Sequence, residues 1–285
     1  MKYFQPLERP TSFRKLASSM WRAPNDPHIF GQVDIDATNT LAFIDEYNEK
    51  NDCKITVTHV VVRALAIAFA RHPEANCKAG FARLLQRTMV EIFCQVAAGG
   101  GRDLSGFKIP QADKKSLKEI SAALTRGATN IREDKDPAFK RSRNMFQVMP
   151  LWALRFVLWI MSFLQNTLHL NLPSLGMPID AFGAAMVTNV GMFGVDTAWA
   201  PLVPISRCSL LILVPKIKER PWVVDGAVMP RPILRLCASF DHRIIDGYLA
   251  GKLNGVIEEV LYDPSKLLTA AEQSDEGEAQ GAEDG

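Results

Sequence analysis

The chain has 285 residues, 47% of them hydrophobic and 22% charged, with a formal net charge of +2. This is a globular composition that excludes a repeat or low-complexity body, and with no basic stripe interleaved with aromatics it gives no case for nucleic acid. Five cysteines (Cys53, Cys77, Cys94, Cys208 and Cys237) are odd in number and lack CxxC spacing, so they read as reduced, mostly buried thiols of a cytosolic chain and not as a disulfide framework or metal site.

The opening segment MKYFQPLERPTSFRKL has no continuous apolar stretch, so a signal peptide is not expected. TSFRKLASSMWR (11–22) carries an N-cap candidate and helical apolar spacing, which predicts an amphipathic helix. FGQVDID (30–36) alternates like a half-buried strand, and LAFIDEYNEK (41–50) returns to helix. ITVTHVVVRALAIAFARHPEAN (55–76) begins β-branched and runs into a long helix closed at His72-Pro73. MVEIFCQVAA (89–98) predicts a strand ending in a Gly99-Gly100-Gly101 turn, and DKKSLKEISAALTR (113–126) predicts another amphipathic helix. Strands are predicted over 184–194, 208–217 and 232–240, with a Val-Asp-Gly-Ala hairpin signal between the last two. LAGKLNGVIEEVLYDP (249–264) is the final helix. Interleaved elements with a clear hairpin favour an α/β domain with a mixed sheet over a doubly wound parallel one.

Two segments stand apart. MFQVMPLWALRFVLWIMSFL (145–164) is apolar nearly all round, with Arg155 as its one charge, and follows the basic run Lys140-Arg141-Ser142-Arg143. The tail AAEQSDEGEAQGAEDG, from Ala270, is acidic and built of small residues, a composition expected to be disordered.

SFDHRIIDG (239–247) resembles the DHRxxDG signature of the acyltransferase (E2) catalytic domain of 2-oxo acid dehydrogenase complexes, a relative of chloramphenicol acetyltransferase. VTNVGMFGVDTAWAPLVP resembles that family's S-N-x-G-x-x-G segment with its following proline. FRKLASSMWRAPNDPHIFGQVDID resembles its opening helix and first strand, and ITVTHVVVRALAIAFARHPEAN its long helix ending in Pro-x-x-Asn. The resemblance covers about residues 10 to 268 apart from the apolar insert, and implies a two-layer chloramphenicol-acetyltransferase-like α/β fold with a mixed sheet that forms trimers. The expected organisation is a catalytic domain over 1–268, with an apolar insert at about 140–178, and an acidic tail over 269–285. Four departures accompany it. The chain is expected to begin at the catalytic domain without lipoyl or subunit-binding domains and to carry an acidic tail in place of the apolar end of cage-forming members, the insert swells a normally short polar stretch, and the family serine is Thr188.

The resemblance implies acyl transfer between coenzyme A (acyl-CoA) and a thiol acceptor, a dihydrolipoyl group supplied in trans, by direct attack in a ternary complex. A thiol with a reference pKa of about 8.5 needs a base, and a neutral imidazole suits that task. His242 takes the role of general base, and Thr188 that of the hydroxyl that donates to the tetrahedral oxyanion, a donor typically worth about 2.7–4 kcal/mol. Asp246 completes the catalytic set, and its family role is chiefly to hold the loop by pairing with an arginine, for which Arg14 matches best and Arg22 is the alternative. Gly247 allows a tight turn or close approach, and Asn189 with Gly191 shapes the turn after the strand. In the family the histidine and the hydroxyl come from neighbouring subunits, which implies a homotrimer, with a lipoyl-bearing protein or other 2-oxo acid dehydrogenase components as partners. No metal is implied.

Two other readings are weighed: a chloramphenicol-acetyltransferase-like enzyme that acylates a small molecule, and a non-catalytic E2-like assembly subunit. For the run 145–164 the readings are a buried or intersubunit helix, a peripheral membrane contact led by the basic run, and a hydrophobic lid over an acyl pocket. A true span, which needs about 20 apolar residues, ranks last. The expected location is cytoplasmic, with membrane association as the variant.

Overall fold

Alternating apolar residues in HIFGQVDID form strand β1 (His28–Asp36), which pairs antiparallel along its whole length with the last strand, β9 (Ala227–Asp241). A computed structural model describes residues 26–80, 84–98, 103–133, 149–168, 170, 180–270 and 272–273. The helix expected over 11–22, the Gly99-Gly101 turn, the basic run at 140–143 and the tail beyond 273 lie outside the described residues.

After β1 come helices α1 (Thr38–Lys50) and α2 (Val57–Arg71), then a short hairpin of β2 (Cys77–Ala79) and β3 (Leu84–Gln86). Next are β4 (Ile92–Ala98), β5 (Asp103–Ile109), α3 (Leu117–Arg132) and α4 (Leu151–Asn166). The chain closes with β6 (Ala185–Asn189), β7 (Leu210–Val214), β8 (Lys218–Val224), β9 and α5 (Gly247–Tyr262). The main sheet runs β1-β9-β7-β6-β4-β5, with β8 paired to β9. β4, β6 and β7 are parallel, and the β4–β5, β7–β9 and β1–β9 pairs are antiparallel. The sheet is therefore mixed, as expected.

Local chemistry explains where the elements begin and end. Thr56 and His59 form a capping box on α2, and Pro73 closes that helix because it has no N–H to continue it. α3 starts later than position 113, because Ser116 and Glu119 form a capping box and the residues before it are a turn. Asp225 and Gly226 have φ of 50° and 82°, the two positive values that a type I′ hairpin requires between β8 and β9.

The core lies between one face of the sheet and the helices. Val187, Ile212, Leu234 and Leu236 pack there with α2 residues such as Leu65 and Phe69 and α5 residues such as Leu253 and Val260. Arg63, buried in α2, donates from Nε to the Leu267 carbonyl (2.9 Å) and from Nη1 to the Asp113 carbonyl (2.6 Å), which ties the short turn Pro264–Leu267 to this layer. Beyond it, Glu272 accepts a 2.8 Å hydrogen bond from the Tyr47 hydroxyl. On the opposite face a smaller cluster, Met186, Leu211, Leu213 and Cys237, is covered by Leu202 and neighbouring loop residues.

Within one chain α4 is not the buried helix that its composition suggested. Trp152, Phe156 and Trp159 are exposed, and Trp159 stacks with both Phe156 and Phe163. Among the described residues no helix is long and apolar enough to cross a membrane.

Candidate active site

His242 follows directly on the end of β9, and pairing of β9 with β1 fixes its backbone. Its N–H donates to the Pro27 carbonyl at 2.8 Å, at the start of β1. Its Nδ1 lies 3.2 Å from the Ile245 carbonyl oxygen. A carbonyl only accepts, so this contact places the ring proton on Nδ1 and leaves Nε2 with a free lone pair. The imidazole is exposed, so a substrate can reach it.

A second histidine sits at the same end of the sheet, and its bonding rules it out as the base. His28 bonds Asp26 through Nδ1, and its Nε2 accepts from the Leu202 N–H at 3.1 Å. Both ring nitrogens are engaged. His59 is excluded differently, because its Nδ1 accepts from the Thr56 N–H and burial pushes its pKa down to about 4.

Asp241, next to the histidine, is buried and receives three bonds from Arg243: Nε at 2.8 Å, Nη2 at 2.5 Å and the backbone N–H at 3.1 Å. Burial works to raise this carboxyl, but the bonds from Arg243 outweigh it and the net displacement is downward. The Asp241 carbonyl also accepts from the N–H groups of Ile244 and Ile245 at 2.9 Å each. An ion pair between buried Asp241 and exposed Arg243, together with a tight turn, thus braces the loop that carries His242.

Asp246 performs a different task. It is the N-cap of α5, accepting from the Leu249 N–H at 2.8 Å, and among the described residues it shares no hydrogen bond with His242. The arginines expected to pair with it, Arg14 and Arg22, lie outside the described residues. Gly247 is the first residue of α5, with no left-handed φ, and a Cβ added there would meet nothing within 4 Å. A tight turn therefore does not explain this glycine.

Thr188 is half-buried near the end of β6. It alternates with Val187, which packs in the main core, and so faces the opposite side of the sheet with Met186. Asn189 donates from Nδ2 to the Thr58 hydroxyl at 2.8 Å and accepts from the Met192 N–H at 3.3 Å, which pins the turn after the strand. Gly191 is needed in that turn, because a Cβ there would lie 2.8 Å from the backbone of Pro215 and Lys216.

One chain does not bring Thr188 and His242 together. Thr188 is in register with Leu213, and Leu213 with Cys237, so two strand spacings, about 10 Å, separate Thr188 from β9. From Cys237 the strand runs on four residues to Asp241, a further displacement of about 14 Å at roughly 3.4 Å per residue, before His242 is reached. No single carbonyl can touch both side chains of the same chain.

The cysteines offer no alternative nucleophile of low pKa. Burial pushes the Cys94 and Cys208 thiols up to about 12, and Cys53, Cys77 and Cys237 are also raised, by burial first. Among the described residues no cluster of three or more His, Cys, Asp or Glu is placed to hold a metal.

The sequence motifs singled out His242, Thr188, Asp246 and Asn189 but not Asp241, Arg243 or Pro27, which brace the histidine loop. Asp241 and Arg243 had a visible signal, the D-x-R inside the same motif, whereas the role of Pro27 depends on strand register across the whole chain and left no local trace.

Comparison with known proteins supplies context for this geometry. The family model for 2-oxoacid dehydrogenases acyltransferase (catalytic domain) matches residues 9–139 and 182–269. The chain is 26% identical over 247 residues to the dihydrolipoyllysine-residue acetyltransferase component of the Zymomonas mobilis pyruvate dehydrogenase complex, covering 86% of this chain and 46% of that protein. It is 25% identical over 258 residues to the lipoamide acyltransferase component of the Bacillus subtilis branched-chain alpha-keto acid dehydrogenase complex, covering 88% and 51%. The chain thus spans about half the length of these relatives. Among solved structures, a probable dihydrolipoamide acetyltransferase of Listeria monocytogenes superposes with a TM-score of 0.62 at 21% identity, covering 93% of this chain and 97% of that one. The cubic core of a pyruvate dehydrogenase multienzyme complex superposes with a TM-score of 0.64 at 22% identity, covering 92% and 99%.

Proposed function

Since the chain belongs to the family of 2-oxoacid dehydrogenase acyltransferase catalytic domains, we propose that it transfers an acyl group between coenzyme A and a dihydrolipoyl thiol supplied by another protein. The observation that carries this reading is the state of His242: Nδ1 is committed to the Ile245 carbonyl, and the exposed ring leaves Nε2 as the proton acceptor.

In the direction from acyl-CoA, Nε2 takes the thiol proton of the dihydrolipoyl group, and the resulting thiolate attacks the thioester carbonyl carbon. The carbonyl π pair moves onto oxygen, and the Thr188 hydroxyl of a neighbouring copy donates a hydrogen bond to that oxyanion. Collapse re-forms the carbonyl and breaks the bond to the CoA sulfur, which leaves with the proton returned by the imidazolium. Asp241 and Arg243 hold the loop that carries the base, and Asp246 fixes the helix that follows it. The separation of Thr188 from His242 within one chain supports a site shared between copies, and a homotrimer of the family type supplies that arrangement.

The test is transfer from acyl-CoA to free dihydrolipoamide with direct detection of the S-acyl product, using the wild-type chain and His242→Ala. Product formation that is lost in the variant is the expected result. No product from a folded wild-type oligomer would overturn the dihydrolipoyl acceptor and favour acylation of a small molecule.

A further inference from the structure

The apolar insert forms a wall beside the histidine loop. A cavity of about 560 Å³ opens between α4 and the segment from Leu202 to Cys208, within the size range of small-molecule sites. Leu158 and Trp159 of α4 line one side, and Leu202, Val203, Pro204 and Ile205 line the other. Its third side belongs to the site described above. Asp241 and Arg243, the two sequence neighbours of His242, border the cavity, as does Pro27, whose carbonyl holds the His242 N–H.

The cavity is chemically asymmetric. Its walls are mostly apolar, and its charged residues lie at the end next to the histidine loop. Arg207 joins Arg243 there, and the Nε of Arg207 is buried without a hydrogen-bond partner among the described residues. Arg207 also adopts a left-handed backbone, φ 53°, which is uncommon for a residue with a Cβ. A ligand with a polar acyl head and an apolar tail matches both ends, the head beside Arg207 and the His242 loop and the tail on Trp159.

We propose that this cavity is an acyl-chain pocket built by the insert, so that the donor is a medium- to long-chain acyl thioester and not acetyl-CoA. The inference rests on the acyltransferase reading and adds the substrate class to it. Residues 140–181, which include all of α4, fall outside the match to the family model, so this wall is an addition to the family's matched segments. Trp159, which lines the cavity, is 63% exposed, an aromatic surface that an acyl tail would cover.

The experiment compares acyl-CoA donors from acetyl to dodecanoyl with dihydrolipoamide as acceptor, in the wild-type chain and in Trp159→Ala and Leu158→Asn. Calorimetric binding of decanoate and light scattering are recorded for each protein. In the wild-type chain kcat/KM rises about three- to fourfold per added methylene until the cavity is full. The decanoyl-to-acetyl ratio falls about tenfold or more in both variants, and decanoate binding weakens with it. Transfer with no chain-length preference would overturn the pocket and leave the acyltransferase reading standing. No transfer from any donor, together with decanoate binding that both variants weaken, would support the pocket and overturn that reading. Loss of the oligomer in both variants, with the decanoyl-to-acetyl ratio unchanged, would make this face of α4 a contact between copies and overturn the pocket.

Discussion

Nδ1 of His242 and the carbonyl oxygen of Ile245 stand 3.2 Å apart, a contact made within the histidine's own loop that determines which ring nitrogen is basic. The proton is held on Nδ1, so Nε2 carries the free lone pair that the proposed base requires. Nitrogen-15 spectra of the histidine-labelled protein at neutral to alkaline pH should show Nδ1–H tautomers for His28 and His242, and the signal of one of them should disappear in His242→Gln. An Nε2–H tautomer for that ring would contradict the assignment of the base.

If Thr188 donates to the oxyanion as proposed, its hydroxyl is the group that matters and its methyl group is incidental. Thr188→Ser keeps the donor and should hold kcat within a few-fold, whereas Thr188→Val keeps the shape and should lower kcat about 10²- to 10³-fold with little change in stability. Steady-state kinetics of the two variants decide it. Equal losses would assign Thr188 to packing.

Asp246 acts on α5 and not on the imidazole proton. Asp246→Asn retains a capping oxygen and should cost only a few tenths of a kcal/mol, while Asp246→Ala should destabilise the fold by about 1 kcal/mol. Urea unfolding measures both. A normal stability for Asp246→Ala would refute the capping role drawn from the Leu249 contact.

His59 makes the fold sensitive to acid. Its folded pKa, about 4, lies below the reference value of 6.5 because burial disfavours the charged ring. Between these two values the unfolded chain binds a proton that the folded chain does not, so stability is intact above about pH 6.5 and falls as pH drops towards 4. The loss from this group is on the order of 3 kcal/mol at the low end. Unfolding at pH 7.5 and pH 4.5 should show a smaller difference for His59→Gln, which keeps a side-chain acceptor for Thr56, than for the wild-type chain.

The parts of the fold that rest on local chemistry were legible in the sequence. The Asp225-Gly226 turn, the Pro73 stop and the alternation in β1 announce themselves within a few residues. β5 did not, since DLSGFKI has Gly106 at its centre and weak strand propensity. The Phe93 ring from β4 occupies the space where a Cβ on Gly106 would go, so the glycine marks a close approach that only tertiary structure reveals. β8 was legible only through the hairpin signal at Asp225-Gly226, because Pro221 argues against a strand anywhere except at an edge. The site divides in the same way. His242, Asp246 and Thr188 stand in short motifs, but the anchoring of His242 to Pro27 and the distance between Thr188 and His242 follow from register between strands far apart in sequence. The exposed face of α4 was unreadable because composition reports apolarity and not what covers it.

The central claim, a site made of His242 from one copy and Thr188 from another, is tested most directly by complementation. His242→Ala and Thr188→Val chains are co-expressed with different tags, and oligomers that carry both tags are isolated and assayed for transfer to dihydrolipoamide. In a cyclic trimer, each mixed oligomer contains one site with an intact base and an intact hydroxyl, so activity should return to about a third of wild type from two parents that are each nearly inactive. Activity no higher than that of the parents, in mixed trimers that remain assembled, would place both groups in the same chain and contradict the account.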